Sequence, residues 1–221
     1  MEQVTGGAVL IVEDDVATAE LQKRAMQEAG LAVRLAGRVA EAIRMITENS
    51  ISVALVDYRL PDGDALAVLD AARSASPPVP VIVVTGLGDE RIAAEVIHRG
   101  AADYVIKRGD FWEELPRVVG RVLQLAAAER ALRRSEEQFR QIAETIDEVF
   151  WMTDAKTGAM LYVSPAYDRI WGRSREDLYA RPGAWLEAVH EEDRGRLASR
   201  LSRGATSEPM EPYRIERPDG G

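Results

Sequence analysis

The 221-residue chain contains no cysteine, which excludes disulfides, thiolate metal sites and any cysteine-based redox or photochemical switch. Histidine is almost as scarce. Only His98 and His190 are present, so a haem or a histidine-rich metal site has little to draw on. No stretch approaches the roughly 20 consecutive apolar residues of a membrane-spanning helix, and "MEQVTGGAVL" lacks the basic start and long apolar run of a signal peptide. Basic residues are in deficit, 28 Lys and Arg against 37 Asp and Glu, for a net charge of −9. That balance disfavours nucleic-acid backbones and anionic membranes as partners. What is present is a 46% hydrophobic content, enough for packed cores, in a length that fits one large or two ordinary domains. The default expectation is a cytoplasmic protein.

From Ala8 to about Leu125, short β-branched runs alternate with helical stretches. "AVLIV", "AVRLA", "SVALV", "PVIVV" and "DYVIK" read as strands. Helices are predicted over Val16–Ala29, Val39–Glu48, Asp64–Arg73 and Glu90–Arg99, with Gly30 and Gly100 as left-handed caps after the first and last. The strand runs are apolar throughout rather than alternating, which points to a parallel sheet covered on both faces.

The first strand ends on three carboxylates, Glu13, Asp14 and Asp15. Like charges gathered this closely need solvent or a cation. Asp15 reads as the cap of the next helix. Beyond it, Asp57 ends the third strand, Thr85 the fourth and Lys107 the fifth. In an open parallel sheet ligands gather outside the carboxyl ends of the strands. An acid or lysine at one strand end is ordinarily just solvated, but five polar groups converging on one edge indicate a site.

These residues resemble the receiver domain of two-component response regulators over roughly residues 8–124. The acidic pair is followed by an aspartate 43 residues after Asp14, a threonine 28 further on and a lysine 22 beyond that. "LPDGDAL" and "GAADYVIK" also match. The resemblance implies a doubly wound, flavodoxin-like α/β fold with strand order 2-1-3-4-5. It implies Asp57 as phosphoacceptor, and Mg²⁺ held by Glu13, Asp14, Asp57 and the backbone carbonyl of Arg59. Lys107 would neutralise the incoming phosphoryl group, Thr85 would donate its hydroxyl to it, and Tyr104 would follow the resulting movement. It implies a histidine kinase or phosphotransfer protein as partner. Many family members have proline after the lysine; here Arg108-Gly109 follows, which predicts a more mobile loop into the last helix.

A long helix comes next. Val118, Leu125, Leu132, Phe139 and Ile146 recur every seven residues, accompanied by Ala128, Ser135, Ile142 and Val149. Both a short, imperfect coiled coil of two copies and one amphipathic helix docked on a neighbouring domain fit this pattern. Ser135-Glu136-Glu137-Gln138 fits a capping box at which the helix would restart.

From Glu148 the pattern turns to strands in "EVFWMTD" and "AMLYVS", short helices around "PAYDRIWG" and "SREDLYA", a helix over Glu192–Ser202 and a strand in "EPYRIER". Residues 142–221 resemble a PAS sensor domain, an α+β fold, lacking its last strands. The closing "PDGG" reads as a hairpin turn, so the sequence suggests part of a longer protein. Trp151, Tyr162, Tyr167, Trp171 and Trp185 read as core rather than pocket lining, and no PAS ligand is expected. His98 suits a helix end and His190 a loop; neither looks catalytic. The expected organisation is a receiver at 1–124, a helical linker at 125–141 and a partial PAS domain at 142–221. The expected function is Mg²⁺-dependent receipt of a phosphoryl group on Asp57 from a histidine kinase, with the resulting conformational change relayed through the helix to the PAS region. The alternative is the regulatory front of a PAS-containing histidine kinase or diguanylate cyclase. No glycine-rich phosphate loop supplies a nucleotide site here.

Overall fold

The computed structural model describes residues 7–48, 51–86, 90–202 and 211–219. It divides into two compact units, Met1–Leu132 and Arg133–Gly221.

In the first unit a five-stranded parallel sheet has the order β2-β1-β3-β4-β5. Its strands are β1 (Ala8–Val12), β2 (Val33–Ala36), β3 (Ile51–Asp57), β4 (Val81–Thr85) and β5 (Asp103–Ile106). The period-two pleat sends alternate residues to opposite faces. Leu10, Val12, Ala54, Val56, Val81 and Val83 pack on one face. They meet α2 (Val39–Thr47), α3 (Ala65–Ser74) and α4 (Glu90–His98). Val9, Ile11, Val53, Leu55, Ile82 and Val84 pack on the other. They meet Met26 of α1 (Val16–Glu28) and Leu115, Val119 and Val122 of α5 (Leu115–Thr145). Two covered faces explain the uninterrupted apolar runs.

Helix ends follow local chemistry. Asp15 caps α1, its Oδ1 accepting from Thr18 N at 2.7 Å. Gly30 (φ 78°) and Gly100 (φ 97°) take the left-handed conformation after α1 and α4. There Leu31 N donates to Met26 O and Ala101 N to Val96 O, closing the last turn of each helix. Helix α2 has no cap of its own, because Arg38 makes no side-chain bond there. Asp62 supplies it from a distance, accepting from Val39 N (2.8 Å) and Ala40 N (3.1 Å). Asp62 sits at the tip of a small antiparallel hairpin pairing Arg59–Leu60 with Gly63–Asp64.

Two expectations need correction. Helix α5 runs uninterrupted through Ser135, so no capping box restarts it; the surrounding Ala, Leu, Glu and Arg residues are strong helix formers that carry the helix past a single serine. The segment at 211–217 forms no strand, only an isolated bridge between Ile215 and Val189. A strand needs a ladder of backbone partners, and here Glu216 N finds Ala188 O while Arg214 O serves His190 N. Part of the "PDGG" turn lies outside the described residues.

The second unit has a two-stranded antiparallel hairpin, β6 (Trp151–Thr153) and β7 (Met160–Val163), then α6 (Ala166–Trp171), α7 (Arg175–Ala180) and α8 (Glu191–Ser202). Its core gathers Met160, Val163, Tyr167, Trp171, Leu178, Trp185, Val189 and Leu197. Tyr167 stacks on Trp171, and Trp151 lies against Trp185 with ring centroids 5.5 Å apart. Tyr162 is placed differently, between Phe150 and Phe139. His190 precedes α8, and its carbonyl accepts from Asp193 N and Arg194 N.

Arg214 fastens the 211–219 segment to α8 through Asp193 (3.0 Å) and Glu192 (2.7 Å). The hydrogen bonds from Arg214 hold the Asp193 carboxyl down to about 2. A folded pKa depressed from 3.8 contributes stability above that value and loses it as pH falls toward about 2. Asp193→Asn is expected to lower stability at neutral pH and to flatten acid unfolding over this window. Tryptophan fluorescence reads it, since three of the four tryptophans lie in this unit. Identical acid profiles for variant and wild type would count against the clamp.

Candidate phosphoacceptor pocket

Parallel registry delivers the polar strand ends to one edge. Asp57 is opposite Val84, and Thr85 is opposite Ile106. Tyr58 N donates to Val84 O and Lys107 N to Thr85 O, so the chain leaves three adjacent strands at one level. Glu13 follows β1, anchored by its N–H to Ala36 O.

Lys107 joins two of the acids. Its Nζ donates to Glu13 Oε2 and to Asp57 Oδ2, both at 2.8 Å. Glu13, Asp14 and Asp57 each offer a carboxylate oxygen within 4.8 Å of one another. Burial differs across the three: the Glu13 side chain is 2% exposed, Asp57 is half-buried and Asp14 faces solvent. Burial pushes the Glu13 carboxyl above its ordinary value, the Asp57 charge adds to this, and the Lys107 hydrogen bond pulls back. For Lys107, burial works against the ammonium, but hydrogen bonds to Asp57 and Glu13 outweigh it and the pKa rises. The donor set is entirely hard oxygen, which suits a small divalent cation such as Mg²⁺.

The other predicted residues fall in distinct places. Thr85 is buried at the end of β4. Arg59 is exposed, two residues past Asp57 in the small hairpin. Tyr104 is 39% exposed and lines a separate cleft of about 630 Å³ with Arg108, Arg117 and Arg121. After Lys107, Gly109 turns left-handed (φ 52°) and Phe111 buries its ring.

One residue of the pocket escaped sequence reasoning. Gln22 of α1 is 1% exposed and donates from Nε2 to Glu13 Oε2 at 3.1 Å. The signal was its position. Ala19, Gln22 and Met26 form the buried stripe of α1, and an amide in an apolar stripe calls for a polar partner.

Comparison with known proteins agrees with the fold of both parts. Residues 9–117 match the response regulator receiver domain, and residues 160–221 match the PAS fold. The chain is 38% identical over 143 residues to the methanogenesis regulatory protein FilR1 of Methanothrix harundinacea, covering 61% of this chain and 29% of that protein. It is 38% identical over 103 residues to the acid tolerance regulatory protein ActR of Rhizobium meliloti, 47% of this chain and 53% of that one. The chain thus spans about half or less of these curated relatives. Among solved structures, a response regulator receiver domain protein from Methanospirillum hungatei superposes with a TM-score of 0.51 at 25% identity, covering 57% of this chain and 99% of that one. The receiver domain of Francisella response regulator 1452 gives 0.50 at 26%, covering 55% and 99%.

The raised Glu13 pKa has a cost that metal-free protein should reveal. Below about 4.5 the carboxyl is protonated in folded and unfolded chains alike and is neutral to stability. As pH rises the unfolded chain ionises first, so the folded state loses stability until the raised value is passed. Glu13→Gln is expected to escape that loss, so that its urea midpoint in EDTA gains on wild type from about pH 4.5 upward. Parallel pH profiles would contradict the assignment.

Proposed function

We propose, for a chain whose residues 9–117 belong to the response regulator receiver family and whose residues 160–221 carry the PAS fold, that Asp57 accepts a phosphoryl group from a histidine kinase or phosphotransfer protein. The observation that carries this reading is the double contact of Lys107 with Asp57 and Glu13, inside a cluster of three carboxylates. One Asp57 oxygen attacks phosphorus, the new O–P bond forming as the bond from phosphorus to the donor breaks, and the donor departs with that electron pair. Lys107, already 2.8 Å from Asp57 Oδ2, meets the added negative charge without reorganising. Thr85 donates its hydroxyl to a phosphoryl oxygen, and Tyr104 on the neighbouring strand follows that shift. Glu13, Asp14, Asp57 and the Arg59 carbonyl hold Mg²⁺, which when bound neutralises charge on the transferring group.

The net charge of −9 supports protein rather than nucleic-acid partners for this segment. No helix among the described residues is long and apolar enough to cross a membrane. The organisation we favour keeps the receiver at 1–124, the linker at 125–141 and the PAS region at 142–221.

The test is labelling of the full chain by acetyl phosphate with Mg²⁺. Covalent label that hydroxylamine releases, as it does from an acyl phosphate, is expected in wild type and none in Asp57→Asn. Undiminished labelling of the variant would defeat the assignment.

The linker supports a second element of this reading, a homodimer. Leu125 and Leu132, seven residues apart on the linker, are each 61% exposed, while Phe139, next in the repeat, meets Tyr162 edge-on. A strict seven-residue repeat matches the supercoil of two like helices, whereas a helix against a fixed surface favours 3.6. Sedimentation of the full chain with beryllofluoride and Mg²⁺ is expected to show a dimer that Leu132→Glu disrupts. An unchanged association state would reject the helix as the interface.

A further inference from the structure

We infer that Gln22 is a positioning residue for the phosphoacceptor pocket, setting Glu13 and through it Lys107 for the binding of Mg²⁺. The inference rests on the reading of the pocket just given and extends it to a residue of α1.

Glu13 Oε2 accepts two hydrogen bonds, from Lys107 Nζ and from Gln22 Nε2. Helix α1 therefore grips this carboxylate through a side chain about two turns in from its start. The carboxylate in turn holds one side of Lys107, whose other bond goes to Asp57. A displaced Glu13 would shift the lysine relative to the nucleophile and misplace an oxygen of the three-acid cluster.

A packing role alone does not account for this residue. Its neighbours on the buried stripe are Ala19 and Met26, both apolar, and a leucine or methionine there would bury without desolvating an amide. The amide is 1% exposed and spends a donor on the most buried acid of the pocket. Groups that hydrogen-bond a metal-binding carboxylate without touching the metal fix its orientation, and their loss typically weakens metal affinity by about tenfold or more.

The experiment is calorimetric titration of the full chain with MgCl₂, comparing wild type, Gln22→Met and Gln22→Glu. Methionine keeps length and volume and removes the donor. Glutamate keeps shape and sets a second charge against Glu13. The expected order of affinity is wild type, then Gln22→Met weaker by about tenfold, then Gln22→Glu weaker still. Labelling of Gln22→Met by acetyl phosphate is expected to need about tenfold more Mg²⁺ for half-saturation, with the maximal rate at saturating Mg²⁺ lowered by a smaller factor. Equal Mg²⁺ affinity in wild type and Gln22→Met overturns the inference. Should Gln22→Met not fold, equal affinity in wild type and Gln22→Glu does the same. A wild-type chain that binds no Mg²⁺ defeats instead the reading of the pocket on which the inference stands.

Discussion

Lys107 is the contact on which the pocket depends. Two carboxylates, one of them almost wholly buried, share its ammonium at 2.8 Å. Like charges about 4 Å apart repel by about 4 kcal/mol at an effective dielectric near 20, a large fraction of a domain's net stability. The lysine offsets that repulsion, and the raised Lys107 pKa is its signature: contacts with two acids outweigh a desolvation that would otherwise discharge it. Glu13 shows the same contest with the opposite outcome, since burial there exceeds what the lysine returns.

The cost of such a cluster is offset by the apolar core elsewhere in the unit. Both faces of the sheet are covered, with Leu55, Val56, Ile82 and Val83 all at 0–1% exposure. Parallel pairing fixes the level at which each strand ends, so the polar tips cannot slide independently. The hairpin after Asp57 is held by Asp62 on the amides of α2, and Glu13 is held by Gln22 of α1. The pocket is thus assembled from strand ends and braced by two helices on opposite faces of the sheet.

The second unit relies on a different balance. Its core is aromatic, Tyr167 and Trp171 stacked with Tyr213 edge-on, and its last described segment is tied by ions more than by backbone pairing. Arg214 does there what a strand ladder does in the sheet, gripping Asp193 and Glu192 across some 21 residues of chain. The PAS match covers residues 160–221 of this unit, and such a fold serves many signals, so the match identifies an architecture rather than a ligand.

Local patterns in the sequence determined most of the first unit. Five β-branched runs, two glycine-capped helices and the Asp15 cap reappear within a residue or two, because they rest on pleat, helix period and turn chemistry. The spacing of Glu13, Asp14, Asp57, Thr85 and Lys107 pointed to one sheet edge for the same reason: strand ends in a parallel sheet share an edge. Tertiary structure decided what local pattern cannot encode. Only packing revealed that Gln22 meets Glu13 nine residues back, or that Asp62 caps a helix 22 and 23 residues earlier in the chain. Only the tertiary surroundings decided that 211–217 stays short of a strand, whereas the run of helix formers around Ser135 already outweighed its local signal. Buried polar groups and backbone amides take whichever partner the fold brings within reach, and that choice is made across the chain rather than along it.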